Sequence, residues 1–258
     1  MNAKLQAFER LLNIMDELRV KCPWDQKQTI ESLRHLTIEE TYELAEAIIE
    51  NDFTEIKKEL GDVLLHIVFY AKIASETNEF DITDVINSLC EKLIYRHPHV
   101  FGNGDVKVKD DEEVKTNWEN LKIKEGNKSI LAGVPKSLPA LVKAHRIQDK
   151  VRSVGFDWDE RSQIWDKVRE ELGELQTEIE KQDKEKMEAE FGDLLFSMVN
   201  AARLYDIDPE IALERTNKKF INRFNYLEEQ TIKKGRSLQD MTLDQMNEVW
   251  EKAKQFDK

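Results

Sequence analysis

Apolar residues recur along this chain with the period of an α-helix. Phe8, Leu11, Leu12, Met15 and Leu18 fall at three- and four-residue intervals and predict an amphipathic helix near the N-terminus. Leu44, Ala47 and Ile48 line one face of a second segment, and Ile56, Leu60, Val63, Leu64 and Ile67 line the next. Phe220, Phe224 and Leu227 follow i, i+4, i+7 much later in the chain. Asp52 and Asp183 stand where such segments restart, and an Asp side chain accepts from the free N–H groups of a first helical turn. Turn formers cluster at residues 102–111 and 126–139. Glycine and proline are otherwise scarce, at 9 and 5, which disfavours the many turns of an all-β fold. The expected class is all-α, with helical hairpins packed as four-helix-bundle-like units.

The pattern occurs twice. Residues 39–65 (EETYELAEAIIENDFTEIKKELGDVLL) and 170–196 (EELGELQTEIEKQDKEKMEAEFGDLLF) superpose at a constant spacing of 131 residues, as from Glu39 to Glu170. Glu40 and Glu43 fall on Glu171 and Glu174, Asp52 on Asp183, and Glu59-x-Gly61-Asp62 on Glu190-x-Gly192-Asp193. Lys92 and Arg96 match Lys219 and Arg223 after a four-residue deletion, and WExxK occurs at 118–122 and 250–254. Two tandem homologous modules follow, at residues 1–130 and 131–258.

The shared residues are mostly carboxylates. Two Glu at i, i+3 occupy one face of a helix, and sixteen residues later a Glu and an Asp at i, i+3 occupy the next. Antiparallel packing brings the four together. A lone exposed Glu is ordinary, but Asp62 and Asp193 each lead into the most apolar stretch of their helix, so they are expected away from bulk water. Gly61 and Gly192 sit inside helices, where glycine is unfavourable, and predict a close helix approach. Four clustered anions need neutralising. All-oxygen ligands suit Mg²⁺, with Mn²⁺ as a substitute, and Mg²⁺ takes phosphate oxygens readily. Lys219 and Arg223 could clamp phosphate, or form a solvated edge. Trp250 could stack on a base, or pack with Leu243, Met246 and Ala253. His66 reads as core, and His97 and His99 as a helix-ending turn.

Charge narrows the substrate. The net charge is −13 with no basic block, so neither nucleic acid nor an anionic membrane surface is expected as a partner. A triphosphate would need divalent cations and local Lys or Arg to approach. Cys22 and Cys90 make no disulfide framework, and no stretch has the length and apolarity of a membrane span or a signal peptide, so a cytoplasmic protein is expected. P-loop, GxSxG and CxxC motifs are absent.

EExxE followed by ExxD in two copies, with CPWD at 22–25, TIEETYEL at 37–44, RHPHVF at 96–101 and VGFDW at 154–158, resembles the MazG family of all-α nucleoside triphosphate pyrophosphohydrolases. The resemblance covers nearly the whole chain. It implies a homodimer that completes the bundles, and hydrolysis of nucleoside triphosphates between the α and β phosphates with broad base tolerance. It implies metal ligands Glu171, Glu174, Glu190 and Asp193, with Glu40, Glu43, Glu59 and Asp62 their counterparts in the first module. The nucleotide site would be lined by Lys167, Val168, Arg169, Glu170 and Glu171, then by Lys186, Met187, Glu188 and Ala189, then by Asp193. Lys219, Phe220, Ile221, Asn222, Arg223 and Trp250 would complete it. Glu170 stands as a candidate general base or as the partner of a ligand. The second module is expected to dominate, because Lys167, Arg169 and Lys186 stand where the first has Leu36, Ile38 and Glu55. The alternatives from other classes are a nucleotide sensor without turnover and a metal-storage bundle. The duplication disfavours the single-module dUTP, dCTP and phosphoribosyl-ATP hydrolases.

Overall fold

A computed structural model describes residues 2–103, 106–125, 129–235 and 237–256, without the side chains of Asp111, Glu112, Ile123 and Lys124. Parts of both expected loops, at 104–105 and 126–128, lie outside the described residues. Among the described residues every regular element is helical, and the chain divides into two units, Met1–Val108 and Lys109–Lys258. The first holds α1 (Ala3–Lys21), α2 (Ile30–Glu50), α3 (Phe53–Glu76), α4 (Ile82–Arg96) and the single turn α5 (Pro98–Phe101). The second holds α6 (Asp111–Lys124), α7 (Ala140–Arg152), α8 (Ile164–Lys181), α9 (Lys184–Leu204), α10 (Pro209–Ile232) and α11 (Leu243–Ala253).

The same device closes the central hairpin of each unit. Asn51 ends α2 at φ 56° and Gln182 ends α8 at φ 58°, in the left-handed conformation that stops a helix. The next residue then starts the following helix. The Asp52 carboxylate accepts from the N–H groups of Thr54 and Glu55, and Asp183 accepts from that of Lys186. The chain thus reverses within two residues, which lays α2 against α3 and α8 against α9.

Packing fixes the register of those pairs. Met15, Leu33, Val68 and Phe69 form the core of the first unit, with Phe8, Leu11, Leu12 and Tyr70 against it. Arg19 ties α1 to the end of α3 through Glu76 at 2.7 Å and donates to the carbonyl of Gln28 at 3.0 Å. Ile164, Ala201 and Leu204 form a core cluster in the second unit. Leu33 and Val68 are buried, as are Ile164 and Val199 at the equivalent positions, so the duplicated sequence carries a duplicated core.

Two expectations are revised. A Cβ built on Gly61 or Gly192 meets nothing within 4 Å, so no close helix approach explains these glycines within one chain. Both lie on faces open to solvent. Those faces also carry Leu60, Leu64 and Ile67 on α3 and, at the equivalent positions of α9, Phe191, Leu195 and Met198, all exposed. The apolar stripe read from the sequence is therefore outside the core of the chain, while the buried faces of α3 and α9 carry Val68 and Val199. In space, α6 is grouped with the second unit. The Glu119 carboxylate there pairs with Lys150 of α7 at 2.6 Å and with Lys122 at 2.6 Å. Lys150 is only 2% exposed, so this ion pair links α6 to the interior.

Candidate functional site

Each central hairpin gathers its carboxylates. Oxygens of Glu40, Glu43 and Glu59 lie within 4.8 Å of one another, and so do those of Glu171, Glu174 and Glu190. Helical spacing sets one edge of each cluster and the antiparallel partner supplies the other. Asp62 and Asp193, one turn further along, stand outside these triads. Burial raises the Glu40 carboxyl above its ordinary value, and the charges of Asp62, Glu43 and Glu59 raise it further. Glu190 is raised by loss of hydration and then by Glu174, Asp193, Glu171 and Glu178. Asp62 is half-buried, but Asp193 is exposed, contrary to the expectation that both avoid bulk water.

These triads suit a hard divalent cation. Their donors are all carboxylate oxygens, mutually repelling, and Glu59 Oε2 is buried without a hydrogen-bond partner. An orphaned buried carboxylate oxygen is costly, and a cation beside it would remove that cost.

The nearby cations are distributed differently from the sequence reading. Lys167 lies on its cluster, 2.7 Å from Glu171 and 2.9 Å from Glu170, and these hydrogen bonds raise its pKa. Arg169 pairs instead with Asp166 and Lys186 with Asp183, both with largely exposed side chains. The first module is not without a cation either, because Lys58 reaches Glu59 at 2.7 Å. Charge alone therefore separates the modules less than the sequence suggests. Val168 shares α8 with Lys167, and Met187, Glu188 and Ala189 follow Lys186 near the start of α9. Lys219, Ile221 and Asn222 lie on α10. There Phe220 and Arg223 meet Trp250 of α11, at 5.0 Å between rings and 5.5 Å from guanidinium to ring.

A cavity of about 560 Å³ opens beside the second cluster, with Lys167, Glu171 and Asp193 in its wall. Its remaining lining comes from α7, α8, α9 and the VGFDW segment, and does not include Lys219, Arg223 or Trp250. Arg203, 6% exposed, bonds Asp157 at 3.0 Å and so holds this segment against α9. Burial would raise the Asp157 carboxyl, but the Arg203 and Trp158 N–H bonds outweigh it and keep the pKa low.

The family model for the MazG nucleotide pyrophosphohydrolase domain matches residues 28–101 and 160–227, one copy over each carboxylate hairpin. The chain belongs to the MazG family. It is 46% identical to a Thermotoga maritima protein named nucleoside triphosphate pyrophosphohydrolase/pyrophosphatase MazG, over 96% of this chain and 95% of that protein. It is 40% identical to a nucleoside triphosphate pyrophosphohydrolase of Escherichia coli, over 97% of this chain and 98% of that one. In this MazG chain the sequence reading missed Lys58, Glu178 and the cavity residues Gln148 and Asn200. The repeat held the signal for two of them, since Glu178 aligns with Ala47 and Asn200 with Phe69.

Proposed function

We propose that the chain is a nucleoside triphosphate pyrophosphohydrolase, cleaving Mg²⁺-bound triphosphates of varied base to nucleoside monophosphate and pyrophosphate. The observation that carries this is a triad of carboxylates, repeated in both modules of a MazG chain and met by a lysine in each. Glu171, Glu174, Glu190 and Asp193 are the metal ligands of the second module, with Glu40, Glu43, Glu59 and Asp62 their equivalents. When bound, magnesium, or manganese in its place, neutralises phosphate charge and acidifies a water molecule. Glu170 would accept a proton from the water that adds in line to the α-phosphorus, while the bond from the α-phosphorus to the bridging oxygen breaks and pyrophosphate leaves. Lys167 donates to the phosphates, restraining charge that would otherwise repel the carboxylates. Lys219, Arg223 and Trp250 complete the nucleotide site, with Arg169 and the Lys186–Ala189 turn at its edge. The enzyme works in the cytoplasm, cleansing the nucleotide pool or limiting its level, and the second module does most of the chemistry.

A homodimer is part of this proposal. Leu60, Leu64 and Ile67 of α3 and Phe191, Leu195 and Met198 of α9 are exposed at matching repeat positions, which supports burial of both faces against a second copy. A second copy laid on these faces turns each hairpin into a four-helix bundle.

Pyrophosphate and monophosphate measured together test the activity. They should form in equal amounts from several triphosphates, vanish in EDTA and return with Mg²⁺ or Mn²⁺. Diphosphate with orthophosphate would place the attack at the γ position and sink the proposal.

A further inference from the structure

Further along α9 than the carboxylates stands a buried cation. The Arg203 side chain is only 4% exposed. Its Nη1 donates to one oxygen of Asp157 at 3.0 Å and its Nη2 donates to the other, a two-pronged grip. Nε and Nη2 also donate to Asn200 Oδ1, at 2.9 and 2.8 Å, which fixes the plane of the guanidinium. Asp157 accepts from the Trp158 N–H at 2.9 Å and lies 3.5 Å from Arg152 Nε. An ion pair taken out of water adds little stability over apolar side chains of the same size; what this one fixes is position.

The grip holds two aromatic side chains at the edge of the cavity. Phe156 and Trp158 flank Asp157 and share the cavity wall with Lys167, Glu171 and Asp193. Phe156 is 79% exposed. Burying a phenylalanine ring is favourable, and a cavity of about 560 Å³ has room for one. The repeat contains a module without the grip. Lys72 stands at the position of Arg203 and turns to Asp16 of α1, at 2.7 Å. Phe69 stands at the position of Asn200 and is buried. The segment between α1 and α2, held to α1 by Arg19 through the carbonyl of Gln28, carries Trp24, whose ring lies 6.5 Å from that of Phe69. Where α3 offers no guanidinium fork, the segment lays an aromatic ring against the helix.

We propose that Arg203 is a positioning residue of the second module: by gripping Asp157 it holds Phe156 and Trp158 back from the cavity and keeps the approach to Lys167, Glu171 and Asp193 open. Its consequence for catalysis rests on the reading of the chain as a triphosphate pyrophosphohydrolase. Arg203 touches no reacting atom, so losing the grip changes how often the site is open and leaves the chemistry of the open site unchanged. If a variant holds the segment in place in about one molecule in ten, KM rises about tenfold and kcat does not change.

The test uses the full chain and two variants. Asp157→Asn keeps the shape but sets an amide N–H against the guanidinium, and Arg203→Lys keeps the charge but has no fork. Oxidation by hydroxyl radicals, mapped by mass spectrometry on protein without nucleotide, reads the exposure of the Phe156 ring. Pyrophosphate release from ATP with Mg²⁺ reads kcat and KM. In each variant Phe156 oxidation should fall severalfold, and KM should rise about tenfold with kcat within about twofold of wild type. The double variant should do no more than either single one, because both undo the same contact. A merely structural role would lower the folded fraction, and kcat with it, at unchanged KM; that result overturns the proposal. Unaltered oxidation of Phe156 in both variants overturns it whatever the kinetics, while leaving the activity standing. A wild type that releases no pyrophosphate from any triphosphate overturns the activity, and the role of Arg203 in it falls too, even where oxidation shows that the segment has moved.

Discussion

Replacing Glu174 by Gln should make the metal-free protein more stable and the enzyme inactive. Glu171 and Glu174 carry carboxylate oxygens within 4.8 Å of each other. Two unit charges at that separation repel by about 1 kcal/mol at the permittivity of water and by about 3 kcal/mol at an effective value near 20. Glu174 is exposed, and Lys167 already screens Glu171 at 2.7 Å, so the low end applies. Relief of about 1 kcal/mol corresponds to a rise of about 2–4 °C in melting temperature for a unit of this size. The sign reverses once metal is present. Wild-type protein should gain stability on adding Mg²⁺, because a ligand that binds only the folded state stabilises it, and Glu174→Gln should gain much less. Thermal melts in EDTA and in excess Mg²⁺, with pyrophosphate release on the same samples, read all three effects. Glu43→Gln serves as the internal comparison. It should show the same gain in EDTA for the first unit, yet keep most of the turnover. A lower melting temperature for metal-free Glu174→Gln, or an undiminished Mg²⁺ response, would refute the assignment of this triad as a metal site. Equal loss of turnover in both variants would refute the dominance of the second module.

Lys150→Met should destabilise the second unit by about 3–5 kcal/mol in denaturant unfolding, because it leaves Glu119 buried with a weaker set of partners; a loss under 1 kcal/mol would mean that Lys122 and Arg146 suffice. Acid titration should show two opposed trends. Glu40 and Glu190 are raised in the folded state, so metal-free protein should gain stability as the pH falls through their range. Burial works against Glu119, yet the bonds from Lys122 and Lys150 hold it below its ordinary 4.5, so its contribution is complete above that value and disappears at lower pH. The stability measured from pH 7 to 3 should therefore rise slightly before it falls, and Glu119→Gln should blunt the fall; a monotonic decline from pH 7 would contradict the clustered carboxylates. Leu195→Glu should shift the chain towards monomer in sedimentation or light scattering, and an unchanged mass would remove α9 from the dimer interface.

Much of this was legible in the residues. Asp52 and Asp183 announce helix starts because the cap is a local interaction between neighbours in sequence. The triads follow from i, i+3 spacing repeated across a short hairpin. What the sequence concealed depends on contacts far apart along the chain. The burial of Gln148 is accompanied by its bond to the carbonyl of Phe196, and the orientation of Asn200 requires Arg203 and, through it, Asp157. The partners of the cationic residues were hidden for a different reason. Arg169 and Lys186 are in the right stretch of sequence, but each has a nearer carboxylate on its own helix end and turns to it. Gly61 and Gly192 misled because rarity in helices signals a constraint without saying what imposes it.

The ion pair between Glu119 and Lys150 bears on where this chain can be cut. Severing the polypeptide at residue 130, where the sequence repeat ends, would give a C-terminal fragment that retains Lys150 but has lost the carboxylate that answers it. An ammonium shut away from water without its counter-ion costs several kcal/mol, a large fraction of what holds a domain of this size together. A cut near residue 108 keeps both partners on the same fragment. The border read from the repeat and the border of the compact units thus fall on opposite sides of α6.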